Sequence, residues 1–174
     1  MSVIDAYMAA MLIRPATPAD HDAIWAIIEP TVRAGETYAL PRDWDRDTGL
    51  TYWFATPHQV FVAEIDGEVL GHYFLTPNRQ GGGAHVSNCG FMVSPAATGK
   101  GVASAMCAHA LETAKAQGFR AMQFNFVVST NERAVALWQR LGFEIVGRLP
   151  GAFAHPRLGF VDAFVMFQDF SGHD

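Results

Sequence analysis

Apolar and polar residues follow one another in short runs, and their spacing changes character near the middle of the chain. Leu12 to Pro15 reads as a first strand. Thr17-Pro18-Ala19-Asp20 then gives a capping box with proline at the first helical position, and Ile24, Ile27 and Ile28 follow at helical spacing. Residues 31–45 predict a loop, and Leu50, Trp53 and Phe54 predict a second, short helix. Val60 to Ile65 and Val69 to Leu75 alternate as strands and are joined at Asp66-Gly67, a strong hairpin signal. Pro77 to Gly83 is a loose, glycine-rich turn, after which Ala84 to Val93 predicts a third long strand ending at Ser94-Pro95.

In the second half, Ala103, Cys107, Ala110, Leu111 and Ala114 place one apolar face on a helix from Gly99 to Gln117, closed by Gly118. Phe119 to Val128 is apolar almost throughout, the pattern of a buried central strand. Ser129 and Glu132 suggest another capping box, opening a helix that turns Ala134, Leu137, Trp138 and Leu141 inward and stops at Gly142. Phe143 to Gly147 and Asp162 to Phe167 predict closing strands, with PGAFAHPRLG looped out between them. Hairpins come first and β-α-β crossovers later, so the expected fold is mixed α/β, a mixed sheet with helices on both sides.

A chain of 174 residues, half of them apolar and 17% charged, has material for one domain with a substantial core. That domain is expected to run from residue 11 to 174, with residues 1–10 a loose extension ahead of Met11. The excess of 17 acidic over 12 basic residues argues against a surface gripping nucleic acid along its length. Cys89 and Cys107 lack CxxC spacing, and the seven histidines form no HxxxH or HExxH pair, so no metal is expected. No run approaches a membrane span and the N-terminus has no secretory pattern, which makes a cytoplasmic setting the expectation.

The segment from Val93 to Ala103 leaves a strand, turns through Gly99 and Gly101, and enters a helix whose first NH groups have no intrahelical partner. A phosphate or diphosphate suits such a place, and an ordinary tight turn is the competing reading. A Walker loop fails because Gly101, not Ser or Thr, follows Lys100. A dinucleotide fingerprint is weak, since Ser104 stands where its third small residue belongs and the next strand holds no acid.

Thr98-Gly99-Lys100-Gly101-Val102-Ala103 resembles the first signature of the GNAT N-acetyltransferases, and NERAVALWQRLGF, from Asn131 to Phe143, resembles a second. Both stand in the expected order, and the element pattern agrees from Leu12 to Phe167. The resemblance implies the GNAT fold, a mostly antiparallel mixed sheet with a splayed central strand pair, and acetyl-CoA as co-substrate. It implies that NH groups around Thr98, Gly99, Lys100, Gly101, Val102 and Ala103 receive the diphosphate, and that backbone groups of Phe91, Met92 and Val93 meet the pantetheine arm. Asn125 and Asn131 resemble the family's polar contacts to substrate or cofactor, with helix capping the alternative for Asn131. Trp138 falls where a proton-donating tyrosine often stands, so it is expected in the core or as a wall of the CoA cleft. Thr98 replaces the usual Arg or Gln, which removes one diphosphate donor.

Many relatives carry a glutamate base on the strand before the glycine turn, but here that strand offers only His85 and Cys89 as titratable groups. His85 is the candidate base and Asn88 a candidate catalytic and substrate-positioning residue. The HVSNCGFMV segment, the Asn125/Asn131 pair and the closing LGFEIVGRLPGAF resemble fungal enzymes that acetylate azetidine-2-carboxylate and related proline analogues, which implies that Asn125 helps hold a substrate carboxylate. In the loop before the second helix, Tyr38 offers stacking or a hydrogen bond and Glu36 offers attraction for an ammonium group, while Arg42 reads as solvated. His72-Tyr73 is a further candidate pair, and His155 reads as surface. The expectation is therefore acetyl transfer to the amine of a small metabolite, in a homodimer that binds neither nucleic acid nor membrane. Acetylation of peptide amines and a non-catalytic acyl-CoA sensor are the alternatives.

Overall fold

The computed structural model of the chain describes residues 11–172, so the extension expected at 1–10 lies outside the described residues. Seven strands make one sheet: β1 (Leu12–Pro15), β2 (Gln59–Ile65), β3 (Glu68–Pro77), β4 (Val86–Val93), β5 (Ala121–Val128), β6 (Glu144–His155) and β7 (Gly159–Asp169). Their spatial order is β1-β2-β3-β4-β5-β7-β6, and every neighbouring pair is antiparallel except β4–β5, which is parallel. Helices α1 (His21–Ala34) and α2 (Arg46–Trp53) cover one face; α3 (Val102–Ala116) and α4 (Glu132–Arg140) cover the other.

Alternation along the central strands divides the core in two. Phe74 and Met92 pack with Ile24, Ile28, Val32 and Trp53 under α1 and α2. Tyr73, Leu75 and Cys89 point the other way, against Met106, Cys107 and Ala110 of α3. The mixed α/β sheet with helices on both faces is thus the observed architecture, and the β2–β3 hairpin turns at Asp66-Gly67.

Four local expectations need correction. Helix α1 runs through Pro30 to Ala34 rather than giving way to a loop at residue 31, because Val32 is fully buried beside Ile28 and holds the last turn in the core. The cap of α4 is Asn131, whose Oδ1 accepts from Ala134 N at 3.4 Å, in place of a box begun by Ser129. Strand β4 starts at Val86, leaving His85 in the preceding turn. Finally, residues 150–159 are not looped out. β6 and β7 pair as far as His155↔Gly159, and register shifts between Ile145/Gly147 and Leu149/Phe153 absorb the glycines and Pro150. His155 is buried at the hairpin tip, where its Nδ1 accepts from Arg157 N and Leu158 N at 3.2 and 3.3 Å.

Candidate active site

The site begins where two strands part. β4 and β5 pair at Val86↔Ala121 and Ser87↔Met122 and no further. Buried Ser87 closes the joined end, its hydroxyl donating to Ala121 O at 3.0 Å. Behind the opening, Trp138 packs 5.2 Å from Phe91 and 5.3 Å from Phe124, ring centre to ring centre. These rings pack together in the core on the face covered by α3 and α4.

Backbone direction along β4 follows from the bonds that flank it. Ser94 N donates to Leu70 O, and Asn78 N donates to Val86 O, both at 2.8 Å. Antiparallel pairing alternates, so even-numbered residues of β4 turn their NH and C=O toward β3. Cys89, Phe91 and Val93 therefore aim theirs at the opening. Met92 leaves the expected backbone set, because its groups face His72 on β3, although it still lines the cleft.

The opening continues into a cleft of about 780 Å³ that reaches the glycine turn. Gly99 and Gly101 have φ of 82° and 81°, a left-handed backbone that favours glycine and tips the chain into α3. The first intrahelical bond of α3 is Ala105 N to Gly101 O, at 3.0 Å. Val102, Ala103 and Ser104 precede it and present NH groups without intrahelical partners, and all three line the cleft with Thr98, Gly99 and Gly101. Lys100 does not line it, and its NH is engaged with Ala97 O at 3.1 Å; the Thr98 NH donates to Pro95 O at 3.3 Å, so the expected set of NH groups narrows at both. Arg133, which sequence reasoning passed over, supplies a cation: its guanidinium lies 3.9 Å from where a Cβ on Gly99 would sit. Its role depends on how α4 docks against the turn, which no local pattern records. Asn131 also lines the cleft while capping α4.

At the far end lie Asn88 and Asn125. A register shift between Phe124 and Val127 of β5 marks a bulge at Asn125. The Asn125 amide links two others: Gln123 Nε2 donates to its Oδ1 at 2.8 Å, and its Nδ2 donates to Asn78 Oδ1 at 2.7 Å. Tyr38 lines this end too, and its hydroxyl donates to Phe91 O at 2.7 Å, fastening the α1–α2 loop to β4. Burial raises the pKa of that hydroxyl, so it keeps its proton.

Other candidates do not come together here. His85 is exposed in the turn before β4 and does not line the cleft. Glu36 does not line it either; its carboxylate pairs with Arg157 at the β6–β7 tip, 2.8 Å away. His72 and Tyr73 sit on opposite faces of β3: His72 meets Trp53, while the Tyr73 hydroxyl lies 2.7 Å from His109 Nδ1 on α3. Arg42 is exposed, as expected, with its Nε donating to Arg33 O. Cys89 lines the cleft, but burial pushes its thiol pKa well above the ordinary value. Among the described residues no aspartate, glutamate or histidine lines the cleft, and no group of three or more metal-binding side chains occurs.

Comparison with known proteins agrees with this geometry. The chain is 42% identical to a GCN5-related N-acetyltransferase from Kribbella flavida, with a TM-score of 0.89 over 92% of this chain and 98% of that one. It is 26% identical to yncA from Salmonella typhimurium, solved with its cofactor acetyl-CoA, with a TM-score of 0.81 over 94% of this chain and 96% of that one. N-acetyltransferase aca1 of Schizosaccharomyces pombe is 35% identical over 60% of the chain, and mycothiol acetyltransferase of Streptomyces avermitilis is 31% identical over 75%. The chain spans 51% and 42% of the lengths of those two relatives. The Acetyltransferase (GNAT) family matches residues 22–143, and the chain belongs to that family.

Proposed function

We propose that the chain transfers an acetyl group from acetyl-CoA to the amine of a small, amino-acid-like metabolite by direct attack in a ternary complex. The observation that carries this reading is the parted β4–β5 seam running into the glycine turn, where β4 and β5 no longer pair with each other. The diphosphate takes the NH groups of Gly99 and Gly101 to Ser104, and Arg133 compensates for the donor lost at Thr98. The pantetheine arm lies beside Cys89, Phe91 and Val93, whose backbone groups face the opening, with Phe91 O already taken by the Tyr38 hydroxyl. Asn88 and Asn125 orient the acceptor through amides that donate and accept at once, in keeping with the resemblance to the fungal branch.

The amine nitrogen attacks the thioester carbon, the C–S bond breaks, and sulfur leaves with the electron pair. The proton released by nitrogen ends on sulfur, directly or through solvent, so amide and free thiol are the products. His85 is too far out on the surface to take part, which leaves alignment and polarisation as the protein's contribution. Cys89, held as a neutral thiol, forms no acetyl intermediate.

Calorimetric titration with acetyl-CoA, followed by thiol release on an amine panel, tests the proposal. Heat on binding and release with an amine are expected. No heat at millimolar acetyl-CoA sinks it, and binding without release on any amine makes the chain a sensor instead.

A further inference from the structure

The far end of the cleft is walled by rings. Tyr38, Tyr52 and Phe74 line it. All three surround the fully buried indole of Trp53, with ring centres 6.3, 6.5 and 4.9 Å from it. Each is held by a neighbour. His58 stacks on Phe74 at 4.1 Å and 2°, Trp44 lies 5.1 Å from Tyr52, and the Tyr38 hydroxyl is fixed on Phe91 O.

Gly90 makes the room for this arrangement. A Cβ built there would come within 2.5 Å of Phe74 Cε1 and 2.9 Å of its Cζ. β4 thus carries no side chain where the Phe74 ring overlies it. Among the described residues, the charged groups lining the cleft are Arg133 and Arg140, both on α4, and Arg133 reaches the glycine turn. None belongs to the ring wall.

A charged acceptor side chain would lose part of its water against these rings, of which Tyr52 alone is exposed, without an opposite charge in the wall to meet it. Flat or branched apolar groups, by contrast, match the apolar rings that line this end of the cleft. We infer that the acceptor is an amine with an aromatic or branched apolar body seated against Tyr38, Tyr52 and Phe74, and not a polyamine or an acidic amino acid. This rests on the acetyl-transfer reading above and names its substrate class.

The test compares thiol release with L-phenylalanine, L-leucine and 2-phenylethylamine against L-glutamate, L-lysine and spermidine, at saturating acetyl-CoA. The apolar set is expected to lead by about tenfold or more in kcat/KM. Tyr52→Ala should raise KM for L-phenylalanine by about tenfold, as loss of a hydrophobic contact does, with KM for acetyl-CoA unchanged. Tyr52→Phe should restore the parent value, and the heat of acetyl-CoA binding reports that each variant is folded. Spermidine or L-glutamate outpacing L-phenylalanine overturns the inference and leaves acetyl transfer standing. An unchanged KM in Tyr52→Ala also overturns it, and silence with every amine removes both readings together.

Discussion

His72 sits fully buried on β3, its ring 4.8 Å from that of Trp53 and nearly perpendicular to it, at 87°. Neither imidazole nitrogen has a hydrogen-bond partner, nor does Trp53 Nε1. Burial pushes the His72 pKa down from 6.5 to about 3. Above the ordinary value, both folded and unfolded chains carry a neutral ring and stability does not depend on it. Below that value the unfolded chain takes up a proton that the folded one refuses. Stability therefore falls as pH drops from 6.5 toward 3, by up to about 1.4 kcal/mol per pH unit. His72→Phe should flatten this part of the profile, measured by urea unfolding at several pH values; an equally steep slope in the variant would assign it to other groups. At this scale the sequence was legible where a motif carries the residue, as for Gly99, Gly101 and Asn131. It placed His85 on the strand as a candidate base, whereas β4 begins one residue later, since alternation counts faces only once the strand's first residue is known.

Among the elements, the joined end of the β4–β5 seam adds one buried hydroxyl to its backbone pairing. Ser87 is fully buried and donates to Ala121 O. Ser87→Ala leaves that carbonyl without its side-chain donor, a loss of about 1–3 kcal/mol, and a melting curve should show a drop of several degrees. A melting point within error of the parent would mean that the hydroxyl does not fasten the seam. The strands themselves were readable from their period. Where two of them stop pairing was not, because the period of a strand does not record where its neighbour turns away or where a register shift such as that between Phe124 and Val127 falls. The β6–β7 hairpin was misread for a related reason: Pro150, Gly151 and Gly159 look like loop residues, yet register shifts accommodate them within a long ribbon. Likewise α1 outlasts Pro30 through a contact made by Val32 with the core, which propensity alone does not register.

For the molecule as a whole, β6 is a sheet edge, and Ile145, Val146, Leu149, Leu158 and Phe160 stand exposed on the β6–β7 ribbon. Phe160 is 81% exposed. Pro150 and the register shifts blunt the edge against strand addition, which leaves side-chain packing as the means of covering it. We propose that a second copy of the chain covers this ribbon, giving a homodimer. Analytical ultracentrifugation should find twice the chain mass, and Val146→Lys with Phe160→Glu should return it to the monomer; a parent that sediments as a monomer at high concentration refutes the proposal.

The half-open seam makes this fold resemble a zipper whose slider stops two teeth from the base. Anything that lies along the loose teeth and engages them works as one more row, fastening strands that the chain leaves apart. Resistance to heat then becomes a gauge of how much of that guest is present, rising with the logarithm of its concentration. On the proposed reading that guest is the acetyl donor, and a melting point that climbs with its concentration is the expected sign.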